Sequence, residues 1–105
     1  MTGTLTDKQV AHFHATGQIG PISALSVEEV TKYRGALQDF EAEQGRTLTE
    51  LPGKIRTKTH LLFTWMDELI RHPKVLDAVE SIIGPNILVY HLTSWLKEPN
   101  DGAFV

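Results

Sequence analysis

Apolar residues recur along this chain with two different periods, and the change between them divides it. The opening "TDKQ" is a capping box: Thr6 is placed to accept from the Gln9 backbone N–H while the Gln9 side chain reaches back. Val10, Phe13 and His14 then share one helical face, and Gly17 is placed to end the helix in left-handed backbone. "SVEEVTKYRGALQDFEAEQG" repeats the device with Ser26 and Glu29 and sets Glu28 and Glu29 near the positive end of the helix dipole. Val30, Tyr33, Leu37 and Phe40 form a stripe predicted to be buried, and Gly45 closes the helix. A helical period resumes at Thr64, with Trp65 and Leu69 facing inward, and breaks at His72-Pro73. Pro73 suits the first position of a further helix whose apolar face is Val75, Leu76, Val79, Ile82 and Ile83, ending at Gly84-Pro85.

Elsewhere the period is two or absent. "QIGPI" is predicted to be a short extended piece at a sheet edge, because Pro21 cannot donate to a ladder. "RTLTELPG" has a Pro-Gly pair and no helical period, and is predicted to be a surface connection. Ile55, Thr57 and Thr59 alternate with Arg56, Lys58 and His60 as on a strand. In "NILVYHLTSWLKEP", Ile87, Val89, His91, Thr93, Trp95 and Lys97 point one way and Leu88, Tyr90, Leu92, Ser94 and Leu96 the other, which predicts a long strand. A turn at Pro99 to Gly102 and a new apolar run at Ala103 follow. Helices first and a sheet beginning late predict one α+β domain over residues 1–105.

Composition narrows the function classes. A net charge of -3 and no cluster of Lys and Arg argue against nucleic acid or an anionic membrane as partner. A helix-turn-helix reading of the two helices around Pro73 finds only Arg71, His72 and Lys74 as basic groups. No segment approaches the ~20 apolar residues of a membrane span, and the polar start lacks the pattern of a signal peptide. The absence of Cys removes disulfides and thiolate sites and fits a reducing compartment, so a soluble cytoplasmic protein is expected.

The residues themselves carry little overt chemistry. None of the 5 His residues (His12, His14, His60, His72, His91) is followed two positions later by Asp or Glu, the spacing with which one strand offers two ligands of a facial iron triad. His12, His14 and His72 are expected at surfaces or helix ends, whereas His91, beside Thr93, Trp95 and Lys97, is expected as a hydrogen-bonded core histidine or, as the alternative, on a cavity wall. "GQIG" and "LPGK" lack the length and the Ser/Thr of a phosphate loop. The pairs Glu28-Glu29 and Asp67-Glu68 are expected on solvated helix faces. Lys58 is by pattern one more solvent-facing lysine, and its position before Leu61-Leu62-Phe63 also allows it to meet a carboxylate in a cleft as a point charge.

"KTHLLFTWMDELIRHPKVLDAVESIIGPNILVYHLTSWLKEPNDGAFV" resembles the phytanoyl-CoA dioxygenase family of non-haem Fe(II), 2-oxoglutarate-dependent oxygenases, in its bacterial branch. The resemblance is carried by Lys-x-His-Leu-Leu at Lys58, "HPKVLDAVESIIGPNI" from His72 and "LKEPNDGAFV" at the end, with weaker similarity back through "LSVEEVTKYRGALQDFE" and "VAHFHATGQIGPI". It implies helices leading into the first strands of a double-stranded β-helix, a jelly roll. It also implies hydroxylation of an unactivated C–H bond of a small organic substrate, with Fe(II) and 2-oxoglutarate as cofactors. In relatives the iron-binding His and Asp follow the equivalent of the final "FV", and the third ligand and a cosubstrate-gripping Arg come later still. This chain as given is therefore expected to lack the iron triad, to be inactive alone and to bind neither cofactor usefully. Replacement of the iron-binding carboxylate by a small residue makes some relatives halogenases, and that position is not among these residues. Two positions carry over as cosubstrate-binding: Lys58, matching a lysine that contacts 2-oxoglutarate in some members, and Thr93, matching a position on the same pocket wall. The alternative is a small non-catalytic helical interaction module derived from the same family.

Overall fold

Local capping signals set the ends of the helices. The computed structural model describes residues 5–100 and 102. Helix α1 spans Asp7–Thr16 and α2 spans Val27–Gln44, each opened by its capping box, Thr6 with Gln9 and Ser26 with Glu29. Each ends at a glycine in left-handed backbone, Gly17 at φ 80 and Gly45 at φ 66. A side chain with a Cβ meets its own carbonyl there, which is why glycine serves as the stop. Two short helices follow, α3 at Gly53–Arg56 and α4 at Thr59–Leu62, then α5 at Thr64–Ile70 and α6 at Pro73–Ile83. In α6 Pro73 occupies the first turn and His72 caps it, its side chain accepting from the Lys74 backbone N–H.

The expected α+β class is overturned: among the described residues there is no strand, and the chain is helical with extended connections. "NILVYHLTSWLKEP" runs extended but unpaired, apart from one antiparallel bridge between Thr57 and Thr93. Its period-two pattern sets the direction of side chains, whereas a ladder needs a second backbone at hydrogen-bonding distance. Among the described residues only the turn between α3 and α4 supplies one. "QIGPI" likewise has no ladder partner and makes no sheet edge. Around the alternation at Ile55 to Thr59 the backbone coils into α3 and α4 instead of a strand. The apolar run expected from Ala103 lies outside the described residues.

The core is small and partly unforeseen. "RTLTELPG", expected as a surface connection, contains a 3₁₀ turn at Leu48–Glu50 that a Thr47–Glu50 capping box opens. Leu48 and Leu51 from this stretch are buried, with Tyr33 of α2 and Thr59 of α4. The Glu41 carboxylate reaches from α2 to accept the Leu48 N–H at 2.6 Å, tying the turn to the helix. Of the stripe predicted on α2, Tyr33 is buried, Leu37 and Phe40 are half-buried and Val30 is exposed. Phe40 meets Phe63 edge-on at 4.7 Å, and Phe63 stacks on Trp65 at 5.3 Å, so an aromatic row joins α2 to the α4–α5 junction. α1 packs on α6, and α2 packs on α5.

Burial is low for a chain of this size. The accessible surface is 7814 Å², against about 5,900 Å² from the scaling of compact monomers with mass. The radius of gyration is 16.0 Å, against about 13 Å for a compact chain of similar length. The excess surface includes Leu88, Tyr90 and Trp95, which are 86%, 93% and 70% exposed.

Candidate functional site

The extended segment touches the helical part where the sequence placed its candidate residues. Between α3 and α4, the Lys58 N–H donates to the Leu92 carbonyl at 2.6 Å, and the Ser94 N–H donates to the Arg56 carbonyl at 2.8 Å. These two bonds flank the Thr57–Thr93 pair and bring Lys58 and Thr93 to adjoining positions. Below them the hydroxyls of Thr59 and Ser94 lie 3.2 Å apart, and Thr59 is fully buried. A buried hydroxyl needs such a partner, so this pair holds the segment against the start of α4.

Lys58 adopts left-handed backbone, φ 55 and ψ 43, which a residue with a Cβ adopts only at a cost. That conformation turns the chain sharply between α3 and α4, and it leaves the lysine exposed. Thr93 is half-buried and its hydroxyl lies 2.6 Å from His91 Nε2. His91, expected in the core or on a cavity wall, is exposed. Thr93 lines a cleft of about 240 Å³ together with Gly53, Arg56, Thr57, Ser94 and Trp95. Lys58 does not line this cleft.

Arg56 is the residue that sequence reasoning passed over. It is half-buried, it lines the cleft, and its Nε is out of contact with solvent and has no hydrogen-bond acceptor. No ion pair joins it to a carboxylate among the described residues. In the alternating pattern Arg56 looked like Lys58 and His60, a polar residue opposite apolar ones, and nothing local marked it as different.

A second polar cluster lies at the junction of α2, α5 and α6. His72 Nε2 meets the Glu29 carboxylate, Lys32 pairs with Glu68 at 2.9 Å, and Arg71 pairs with Asp67 at 3.1 Å. The Ser26 backbone N–H, and after it the His72 ring, holds the Glu29 carboxyl below its ordinary value of 4.5. Glu68 holds the Lys32 ammonium above its ordinary 10.5 by hydrogen bonding. Lys32 and Arg71 each have a carboxylate partner, and the Glu29 carboxylate is held by hydrogen bonds from Ser26 and His72, which makes the cluster a joint between helices.

Among the described residues no three of His, Asp, Glu or Cys converge as a group that could hold a metal ion. No helix among them is long and apolar enough to cross a membrane. No family model, curated protein or solved structure matches this chain.

Proposed function

We propose that these residues are the N-terminal helical portion of a cytoplasmic Fe(II)- and 2-oxoglutarate-dependent oxygenase that hydroxylates a C–H bond of a small organic substrate. Their part is to present Lys58 and Thr93 to the cosubstrate. The observation that supports this reading is the bridge between Thr57 and Thr93: residues far apart in sequence, singled out for one ligand, stand at adjoining positions. Lys58, exposed at the tip of its turn, would meet a carboxylate of 2-oxoglutarate as a point charge, and the Thr93 hydroxyl would offer it a hydrogen bond. The iron, when bound by residues other than those described, supplies the oxidising chemistry.

The test begins with the encoded sequence that follows Val105. The reading expects His-x-Asp within the next few residues. It further expects Fe(II)-dependent conversion of 2-oxoglutarate to succinate by the polypeptide that contains both parts. Lys58→Met should lower succinate formation by about tenfold at limiting 2-oxoglutarate, with less effect at saturation. Absence of the motif, or of succinate, overturns the reading.

The second reading, a non-catalytic interaction module, is favoured by the exposed apolar side chains of Leu88, Tyr90 and Trp95. Size-exclusion chromatography with circular dichroism separates the two. A monomer with a cooperative melt favours the module, and a loose, associating chain favours the oxygenase portion.

A further inference from the structure

Arg56 is a cation without an anion. An N–H shut off from water needs an acceptor within the protein or from a ligand, because an unmade hydrogen bond leaves its desolvation uncompensated. Here the residue is half-buried, its Nε lacks both acceptor and solvent, and no carboxylate among the described residues reaches it. The cluster at α2, α5 and α6 shows the contrast, since its cations Lys32 and Arg71 are each matched by a carboxylate within the chain.

The surroundings of Arg56 define what would match it. The cleft it lines is small, about 240 Å³, with Thr57 and Thr93 on its walls and Trp95 at its edge. The Thr57 hydroxyl already donates to the Gly53 carbonyl at 3.3 Å, and the Thr93 hydroxyl is engaged with His91. The Thr57 hydroxyl has its one proton committed to Gly53, whereas the Thr93 hydroxyl is free to donate to a carboxylate when His91 Nε2 carries the proton between them. The planar guanidinium fork matches the two oxygens of one carboxylate group, and a second carboxylate of the same ligand can remain in solvent at the open side of the cleft. Trp95, 70% exposed, offers an apolar face to the body of an organic acid.

We propose that the cleft between α3 and the Thr93 segment is a binding site for a small organic carboxylate, with Arg56 as its charge partner and Trp95 as its apolar wall. The site shares Thr93 with the cosubstrate face, but it rests on the burial of Arg56 and not on the oxygenase reading. The carboxylate draws the guanidinium into the cleft and takes the hydrogen bonds that the protein leaves unmade.

The test is a titration of the full chain with glutarate, 2-oxoglutarate and inorganic phosphate, followed by NMR at the Arg56 Nε–H and the Trp95 indole N–H. Saturable shifts of both signals with glutarate are expected. Arg56→Gln, folded by circular dichroism, should weaken the Trp95 response by about tenfold or more, and Arg56→Lys should not restore it fully because the planar fork is lost. Saturation by phosphate but not by the diacids overturns the carboxylate assignment. An unmoved Arg56 signal overturns the site. A response to 2-oxoglutarate that Lys58→Met abolishes and Arg56→Gln leaves intact also overturns it, while keeping the cosubstrate reading. An Arg56-dependent response indifferent to Lys58→Met supports the site and counts against Lys58 as a cosubstrate contact.

Discussion

His72 serves two helices at once: its Nδ1 accepts from the Lys74 backbone N–H at the start of α6, and its Nε2 meets the Glu29 carboxylate of α2. Because Nδ1 accepts, this network assigns the neutral ring's proton to Nε2, where it donates to Glu29. The imidazole thus caps one helix and pins it to the other.

The same contact gives Glu29 a pH signature. Its carboxyl is held below 4.5 in the folded chain, by the Ser26 N–H first and His72 second. A carboxyl lowered by folding contributes stability that is present above its unfolded value and is lost as pH falls through the folded one. Urea midpoints measured between about pH 3 and pH 6 should fall more steeply for the natural chain than for Glu29→Gln. Parallel curves would show that Glu29 is not coupled to folding.

Ser26 isolates the cap from the pin. Its hydroxyl accepts the Glu29 N–H at 3.1 Å, and Ser26→Ala should cost about 1 kcal/mol in urea unfolding while Ser26→Gly costs only a few tenths. A loss of no more than a few tenths of a kcal/mol in Ser26→Ala would mean that the hydroxyl bond is not what opens α2.

The buried hydroxyl pair predicts a penalty of a different kind. Thr59→Val keeps the shape and strands the Ser94 hydroxyl, at a cost of about 1–3 kcal/mol. Adding Ser94→Ala should recover part of that loss. A double variant as unstable as the sum of its parts would show that the two hydroxyls do not interact in the folded chain.

Lys58 separates structure from binding. At φ 55 its backbone is left-handed, so Lys58→Gly should stabilise the chain by up to about 1 kcal/mol through relief of Cβ strain, less the entropy that glycine adds to the unfolded state. The same variant should weaken 2-oxoglutarate binding if the ammonium is a contact. Thermal melts and ligand titrations of one protein read both effects. A destabilised Lys58→Gly chain would mean that the lysine side chain contributes contacts that outweigh its backbone strain.

Much of the helical layout was legible because its signals are local. Thr6 with Gln9, Ser26 with Glu29, and Gly17 and Gly45 mark their helix ends through atoms within a few residues, and the structure places α1 and α2 where those residues require. His72-Pro73 divides α5 from α6 for the same reason. "RTLTELPG" was misread because its Pro-Gly pair is a local sign of a turn, while the burial of Leu48 and Leu51 depends on α2 lying over them. The candidate pair Lys58 and Thr93 came from resemblance, and no periodicity joins them.

What the sequence alone determined is where α1, α2 and α6 begin and stop, since a cap is satisfied by neighbours along the chain. Whether "NILVYHLTSWLKEP" became a strand was decided only by the tertiary structure, because a ladder is a property of two backbones and one bridge is what this fold provides. The state of Arg56 was settled there too. A guanidinium is paired or unpaired according to which carboxylates the folded chain brings near, and none of those described comes within ion-pairing reach.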